Sequence, residues 1–330
     1  MTALSSNSRQ WVLKAQTDIW TGDANRNGGR TVPTGLLGSL RWWFEVLVRG
    51  LGGSACDPTK PDNRCPDREG KHCVVCELFG CTGWARKFRF DVLDESGKIK
   101  RDQIKKDETF QFIFTSLRPM RDEEWALLDL TLRLIADYGA IGGKTVLKPS
   151  NEMNRSDQPH HQDYGLIAVE RRPDGPSIKK EALQRYVVSG WRSLDHGDFG
   201  WASIENFWCV TCCLARQHKM QSAFNRLLGR KEDKAIKEKN GKRVIRWSDS
   251  LANGKDDVSR WLAGSKRESK KVFSFKDPAR TFGFVKPGLL TLDQMRERLR
   301  GACSGLADEE FLSGPTILDR LVPKAGGGAR

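Results

Sequence analysis

Five of the nine cysteines in this 330-residue chain lie in one short segment, CDPTKPDNRCPDREGKHCVVCELFGC at residues 56–81. Cys56, Cys65, Cys73 and Cys76 follow the pattern C-x8-C-x7-C-x2-C, and the residues between the first and the last are mostly charged, polar or proline. Such a segment cannot build a hydrophobic core of its own. Four thiolates around a tetrahedral Zn²⁺ would supply the missing folding free energy, and four protein ligands make such a metal structural.

Other uses of the cysteines stay open at the level of sequence. The four thiols could be reduced and unliganded on a disordered insert, or His72 could replace one thiolate as a ligand. Cys81 follows the apolar ELFG stretch and is expected to be a small buried residue. Cys209, Cys212 and Cys213 lie in an apolar run and are expected in a core. The odd cysteine count argues against disulfides.

Composition indicates a folded protein with polyanionic partners. The hydrophobic fraction is 38% and the charged fraction 30%, and no apolar run approaches the length of a membrane span. The N-terminal residues contain no apolar targeting segment, so we expect a cytoplasmic location. A formal net charge of +14 favours RNA or DNA, since cationic side chains release counterions from phosphates.

The positive charge is concentrated between residues 216 and 247, where eleven Lys or Arg stand against three acids. A nucleic-acid site is one interpretation of this run. A solvated helix and loop is the other, and it is the commoner meaning of such a charge run.

Periodicity predicts an α+β fold of two ferredoxin-like (RRM-like) βαββαβ domains, the first with the zinc insert at about residues 53–80. Alternating apolar residues predict strands at 10–20, 87–94, 109–117 and 164–172, and helical spacing predicts helices at 36–51 and 121–139. The run 205–216 is expected to begin a second, degraded domain of the same type. A helix near 256–263, two strands and a helix near 292–301 would follow. We expect domains at 1–175 and 176–330.

Three motifs in a fixed order carry a family resemblance. Thr21-Gly22 would follow the first strand, a proline and a G-x-L-R-W-W type helix start span 32–43, and an L-F-G motif occupies 78–80. With the glycine-rich GAIGGKT, these residues resemble the RAMP proteins of type III CRISPR–Cas effectors, and especially of the type III-B Cmr complex. The resemblance implies ferredoxin-like domains that bind CRISPR guide RNA and its duplex with target RNA, beside other effector subunits and without cutting.

The glycine-rich stretch is not a P-loop, because Tyr138 stands where that motif requires glycine. The resemblance instead implies a loop in which Gly139, Gly142, Gly143 and Lys144 approach an RNA backbone, whereas a simple helix C-cap would explain only Gly139. The remaining candidate RNA contacts are of two kinds, residues of the first helix and residues of the TGWARKFR stretch. They are Ser39, Arg41, Trp84, Arg86, Lys87 and Arg89.

Alternation within the TGWARKFR stretch predicts that Lys87 and Arg89 share an outward face, opposite Phe88 and Phe90. Arg41 is expected near the start of a helix, where free amides hold phosphate. These side chains could also be ordinary surface charges.

A loop at 154–165 contains Asp157, His160, His161 and Asp163, residue types that could perform general-base or metal chemistry on RNA. Nothing in the spacing forces them to converge, so a flexible binding loop is the favoured interpretation and no catalytic residue is assigned. The sequence thus predicts a noncatalytic RNA-binding subunit of a type III-B CRISPR ribonucleoprotein that contacts guide and target near the guide 3′ end. A RAMP endoribonuclease and a zinc-stabilised protein-interaction subunit are the alternatives.

Overall fold

A computed structural model describes residues 7–22, 27–143, 158–159, 161–214, 223–228, 233–239, 242–248, 256–264, 268–303 and 305–322. The chain packs into two compact units. The first comprises Met1–Thr145, Asp163–Phe207 and Ser313–Arg330, and the second comprises Val146–Gln162 and Trp208–Leu312. Whether they coincide with independently folding domains at 1–175 and 176–330 stays a prediction.

The first unit contains a four-stranded sheet whose strand order is β2-β3-β1-β4. Its strands are β1 (Ser8–Ala15), β2 (Phe88–Asp94), β3 (Thr109–Ser116) and β4 (Ile167–Arg171). Central β1 pairs antiparallel with β3 and with β4, and β3 also pairs with β2. With one helix after β1 and another after β3, this is the ferredoxin-like order that the sequence predicts.

Two long helices lie between these strands in the sequence. The first, α1 (Pro33–Gly50), begins with proline at its first turn, where the missing amide costs nothing. The second, α3, runs from Asp122 to Tyr138 and has three acids in its first turn, which suits the positive end of the helix dipole. Both predicted helices are confirmed.

Shorter helices complete this unit: α2 (Val74–Phe79), α4 (Lys180–Val188) and α8 (Gly314–Leu321). The described residues also form short 3₁₀ turns at Pro61–Asn63, Gly197–Trp201, Ile204–Asn206 and Asp308–Glu310.

Aromatic side chains on one face of the sheet form the core of the first unit. Trp11, Phe88, Phe110, Phe112 and Phe114 are almost fully buried. Their rings meet edge to face, with centroids 5.3 Å apart for Trp11 and Phe114 and 5.1 Å apart for Phe88 and Phe114. The phenylalanines at every second position of β2 and β3 therefore define the core-facing side of the sheet.

The second unit repeats the same topology on a smaller scale. Its strands are β5 (Phe207–Val210), β8 (Val272–Lys276), β9 (Ala279–Phe284) and β10 (Leu312–Ser313), in the order β10-β5-β9-β8. Helices α5 (Ala223–Leu227) and α6 (Asp257–Ala263) follow β5 in the chain, and α7 (Leu292–Ala302) follows β9. The expected second ferredoxin-like fold is confirmed.

The basic run 216–247 contains a β-hairpin, so the interpretation as a solvated helix and loop is wrong for its second half. Strands β6 (Asp233–Lys239) and β7 (Lys242–Ser248) are antiparallel, and Ile236 faces Ile245 across the pair. The sequence signal is Asn240-Gly241 between two alternating segments, which is typical of a two-residue hairpin connection.

One expectation about the cysteines is also wrong. Cys212 is half-buried and is joined in a disulfide to Cys303, which follows α7, although the odd cysteine count argues against disulfides. Cys209 is buried, as expected, and Cys213 is half-buried.

No helix in the described part of the chain is long and apolar enough to cross a membrane.

Candidate metal centre and nucleic-acid interface

The sulfur atoms of Cys56, Cys65, Cys73 and Cys76 converge, and all four lie within 4.8 Å of one another. The Sγ atoms of Cys56 and Cys76 are 3.6 Å apart. A tetrahedral Zn²⁺ with Zn–S bonds of about 2.3 Å would hold its sulfurs ~3.8 Å apart. The cysteine cluster therefore has the size and donor set of a closed four-thiolate site and could hold a metal ion.

Local structure brings these four sulfurs together from separate parts of the chain. Cys56 follows the end of α1, and Cys65 follows the 3₁₀ turn at Pro61–Asn63. Cys73 is the N-cap of α2 and Cys76 lies within that helix, so the C-x2-C spacing spans its first turn. The amide of Cys73 donates to Sγ of Cys65 at 3.2 Å. Three of the four cysteines are buried, and Cys56 is half-buried.

Arginine side chains surround the cysteine cluster. Arg41 donates to Sγ of Cys76 at 3.2 Å and to the Gly80 carbonyl at 3.0 Å. Arg192 lies 3.8 Å from Sγ of Cys65. Arg49 donates to the backbone carbonyl of Cys56 at 3.0 Å. Because four thiolates and one divalent ion would carry a net negative charge, these guanidinium groups fit a metal-loaded site.

The charge of Arg41 is favoured by this environment. Burial opposes it, but negative charge at Cys76 and at Glu45 raises the pKa of the Arg41 guanidinium above its ordinary value. Its Nε donates to Glu45 at 3.1 Å. Arg41 lies in the middle of α1 and not near its first turn, so the expectation that it stands beside free helix amides is wrong.

His72 and Cys81 lie outside the group of converging ligands among the described residues. The Nε2 atom of His72 is 2.7 Å from a carboxylate oxygen of Glu77. The His72 ring lies 4.6 Å from the ring of Trp84. His72 thus contacts a carboxylate and an aromatic ring, and among the described residues the group that could hold a metal ion consists of the four cysteines.

Lys87 is the centre of a buried ionic network. Its ammonium group lies 2.6 Å from Glu77 on α2 and 2.8 Å from Glu124 on α3. The same oxygen of Glu124 accepts a 2.7 Å hydrogen bond from the Tyr186 hydroxyl on α4. The Lys87 side chain is 9% exposed, so the expectation that it shares an outward face with Arg89 is wrong.

Neighbouring groups alter the acidity of this network. Burial works against the charge of Glu77, but hydrogen bonds from Lys87 and His72 lower the pKa of its carboxyl below the usual value. Burial and the nearby Glu124 raise the pKa of the Tyr186 phenol, so that its proton is held for the hydrogen bond to Glu124. The carboxylates of Glu77 and Glu124 share the ammonium group of Lys87.

The other residues of the TGWARKFR stretch are closer to solvent. Arg89 is exposed and pairs with Asp91 at 2.7 Å, and Arg86 is half-buried. The ring of Trp84 is covered by the guanidinium of Arg118 at 4.3 Å as well as by His72. Among the predicted RNA contacts of this stretch, Arg89 is therefore exposed, Trp84 and Arg86 are half-buried, and Lys87 is buried.

The glycine-rich loop packs against the turn that follows β1. The Gly142 amide donates to the Ser39 hydroxyl at 3.1 Å, and the Gly143 amide donates to the Trp20 carbonyl at 2.8 Å. A Cβ atom on Gly139 would lie 2.6 Å from the ring of Trp43. The backbone amides of Gly142 and Gly143 are thus used for hydrogen bonds within the protein. Gly139 lies so close to Trp43 that a larger side chain would collide with its ring. Lys144 lies outside the described residues.

The candidate catalytic loop is only partly described. Asp157 and His160 lie outside the described residues. His161 is buried, and its amide donates to the Gln158 carbonyl at 2.8 Å. Where the structure describes the chain, the cysteine cluster is the only group of metal-ligating side chains that converges.

Comparison with known proteins identifies the N-terminal part of the chain. Residues 12–147, from within β1 to just beyond α3, match the sequence profile of the RAMP superfamily. The predicted resemblance to RAMP proteins is confirmed for this segment. No curated protein is significantly similar in sequence.

Solved structures show only distant similarity. A crystal structure of Cmr1 from Pyrococcus furiosus is 9% identical, with a TM-score of 0.44 over 93% of this chain and 98% of the other. A type III-B Cmr-beta complex bound to cognate target RNA gives 11% identity and a TM-score of 0.43, covering 89% and 98%. A Csm3–Csm4 subcomplex of a type III-A CRISPR–Cas interference complex is 13% identical, with a TM-score of 0.26 over 56% of this chain and 96% of the other.

Replacing Gly142 with alanine should destabilise the first unit. Gly142 has a φ of +111°, and an added Cβ would lie 2.6 Å from the Trp20 carbonyl oxygen. Backbone strain of this kind costs on the order of 1–3 kcal/mol. Gly29→Ala is the matched control, because no heavy atom lies within 4 Å of its Cβ position. Urea unfolding followed by tryptophan fluorescence measures both variants, and equal midpoints would contradict the account of the loop.

Lys87→Met should be strongly destabilising. The substitution keeps most of the side-chain volume but leaves Glu77 and Glu124 buried without their shared cation, a change that costs roughly 3–5 kcal/mol. Arg89→Met, at a side chain that is 61% exposed, should change stability by less than ~0.5 kcal/mol. If the two variants unfold at the same urea concentration, the buried network does not stabilise the fold as described.

Proposed function

We propose that this chain is a noncatalytic RNA-binding subunit of a type III-B CRISPR ribonucleoprotein, of the kind represented by the Cmr-one subunit. It would contact guide RNA and target RNA near the guide 3′ end, beside other subunits of the effector. The observation that carries the proposal is the RAMP superfamily match over residues 12–147.

Two physical features support an RNA-binding function. The formal net charge of +14 favours a polyanionic partner, since phosphate contacts release bound counterions. The β2-β3-β1-β4 sheet also has the topology of RNA-binding RRM modules, which bind RNA on an open sheet face. The side of this sheet opposite the buried aromatic face includes Arg89, which is exposed, and Lys14, which is half-buried.

Two of the predicted RNA contacts already have charged or polar partners within the protein. Arg86, Arg89 and Lys144 stay as candidates for phosphate contacts. Arg41 and Lys87 have partners within the protein that account for their charges. Their substitution would therefore change folding as well as any RNA affinity.

We propose Zn²⁺ as the metal of the cysteine cluster. Thiolate ligands select zinc over the hard cations Mg²⁺ and Ca²⁺, and Cys56, Cys65, Cys73 and Cys76 would complete its coordination. A bound zinc ion would supply structural free energy to a segment that has few apolar residues before Cys73. The protein side of the site contributes arginine donors that compensate the thiolate charge and hold the sulfurs in place.

Removing one thiolate should release the metal. Elemental analysis of purified wild-type chain is expected to find one zinc per molecule, and Cys73→Ser or Cys76→Ser should lose it, because a closed site cannot replace a missing ligand. Cys81→Ser is the control, since this cysteine lies near the cluster in sequence but outside the converging group. A folded wild type that holds no zinc after purification with zinc in the medium would end the zinc proposal.

Charge removal at the three remaining basic candidates should weaken RNA binding in a salt-dependent way. Arg86→Ala, Arg89→Ala and Lys144→Ala are each expected to lower affinity for guide RNA. Each phosphate group that is no longer neutralised should reduce the slope of log affinity against log salt by ~0.7, because fewer counterions are released. Titrations at several salt concentrations measure both effects. Arg185→Ala removes an exposed charge on α4 and serves as the control.

The result also separates the alternative functions. If the three variants and Arg185→Ala behave alike, the proposed RNA contacts are wrong, and absence of any salt-dependent RNA binding would favour a protein-interaction subunit. Replacing Asp157, His160, His161 and Asp163 together should leave RNA cleavage by the reconstituted effector unchanged within a few-fold. Loss of cleavage with target binding intact would support the endoribonuclease.

A further inference from the structure

A cleft of about 710 Å³ opens in the first unit, between the start of β1, α3, the end of β4 and the end of α8. Its walls combine many arginines with apolar residues. The arginines are Arg9, Arg133, Arg171, Arg172 and Arg320. None of these residues belongs to the cysteine cluster or to the predicted RNA contacts, so the proposed function leaves this cleft without a role.

Two of the five arginines are neutralised inside the cleft. Arg172 lies 2.9 Å from Asp129, and Arg133 lies 3.9 Å from the same carboxylate oxygen. The other oxygen of Asp129 accepts a 3.0 Å hydrogen bond from the Trp11 indole. Arg133 also donates to the Leu321 carbonyl at 2.8 Å. These contacts form the floor of the cleft, and the two arginines neutralise the charge of Asp129.

Arg171 and Arg320 are different. Both are exposed, and neither forms an ion pair with any residue that the structure describes. They lie at the ends of β4 and α8, on two elements that border the same cleft. Two unpaired guanidinium groups on one rim favour a ligand with carboxylate or phosphate groups, because guanidinium binds both as a bidentate donor.

The strand that leads into the cleft has an open edge. Among the strands that the structure describes, β4 is the last of its sheet and pairs only with β1. Within the described ranges, the backbone groups of Ala168–Arg171 form no hydrogen bonds outside the sheet. An extended polypeptide can pair with such an edge, and its alternate side chains would then be carried toward Arg171.

The composition of the walls favours a protein ligand over RNA. Glu170 and Asp174 also line the cleft, and their negative charges disfavour the continuous phosphate backbone of RNA. The aromatic rings in the lining, Trp11 and Trp125, are 1% and 7% exposed, so neither offers a free face for base stacking. Pro173, Pro176 and Ile178 are half-buried and present an apolar rim instead.

We propose that this cleft is a docking site for an extended segment of a partner protein in which acidic residues alternate with apolar ones. Backbone groups of the segment pair with the open edge of β4. Its carboxylates bind Arg171 and Arg320, and its apolar side chains pack on the rim formed by Pro173, Pro176 and Ile178. The inference goes beyond RNA binding and does not depend on it.

The test uses the full-length protein and a short synthetic peptide in which glutamate alternates with valine and threonine, labelled with fluorescein. Fluorescence anisotropy should show saturable binding. The double variant Arg171→Glu/Arg320→Glu should bind about tenfold more weakly, which corresponds to ~1.4 kcal/mol. The matched control Arg185→Glu reverses an equally exposed charge on α4 and should bind like the wild type.

Two further probes separate the parts of the proposal. The same peptide with glutamine in place of glutamate should be insensitive to the arginine variants, because it carries no carboxylates. A peptide methylated on alternate backbone nitrogens should bind weakly, because it can no longer pair with the β4 edge. Arg86→Ala and Arg89→Ala, which test RNA binding, should leave peptide affinity unchanged.

Several results would overturn the proposal. One is equal peptide affinity in the double variant and in Arg185→Glu, and another is no saturable peptide binding at all. A third is tighter binding of single-stranded oligouridine than of the peptide, abolished by Arg171→Glu/Arg320→Glu, which would make the cleft an RNA site. Unchanged thermal unfolding of the double variant confirms that any reduction in binding is local.

Discussion

The first unit depends on one buried ammonium group. Lys87 stands just before β2 and neutralises Glu77 of α2 and Glu124 of α3, while Tyr186 of α4 donates to the same Glu124 oxygen. Three helices and the sheet therefore meet at a single cation. Because an unpaired charge in such a position is far more costly than the pair is stabilising, the network fixes the mutual arrangement of these elements even if it adds little net stability.

The cysteine cluster is tied to the same region by short covalent and polar links. Glu77 follows Cys76 directly, and His72 precedes Cys73 and contacts Glu77 at 2.7 Å. Arg41 connects Cys76 to Glu45 within α1. Any change in the positions of the sulfurs is therefore transmitted to α1 and α2 through rigid, hydrogen-bonded side chains. The insert is part of the packing of the domain and not an appended loop.

Much of this architecture could be predicted from the sequence. The alternation of Phe88 and Phe90, and of Phe110, Phe112 and Phe114, predicts two strands with one buried face, and the structure has both. The C-x8-C-x7-C-x2-C spacing predicts the four residues that converge. These signals succeed because they are local: side-chain period and ligand spacing depend on a few consecutive residues.

The wrong predictions concern residues whose contacts come from distant parts of the sequence, or segments where one local pattern hides another. Alternation predicts an outward Lys87, but β2 begins at Phe88, so the pleat does not govern the direction of Lys87. Its second carboxylate, Glu124, is 37 positions away. Arg192 approaches Cys65 from 127 positions away, and no local pattern announces it. The hairpin at 233–248 has a local signal in Asn240-Gly241, which the dense positive charge obscures.

The first unit is discontinuous in sequence, and this affects how the chain is made. Its last helix, α8, spans Gly314–Leu321, whereas nearly all of the second unit lies before it, within Trp208–Leu312. Ribosomes deliver the polypeptide from its N-terminus. The first unit therefore lacks α8 until all residues of the second unit have been synthesised. Of the two units, the one whose synthesis begins first is the last to be completed.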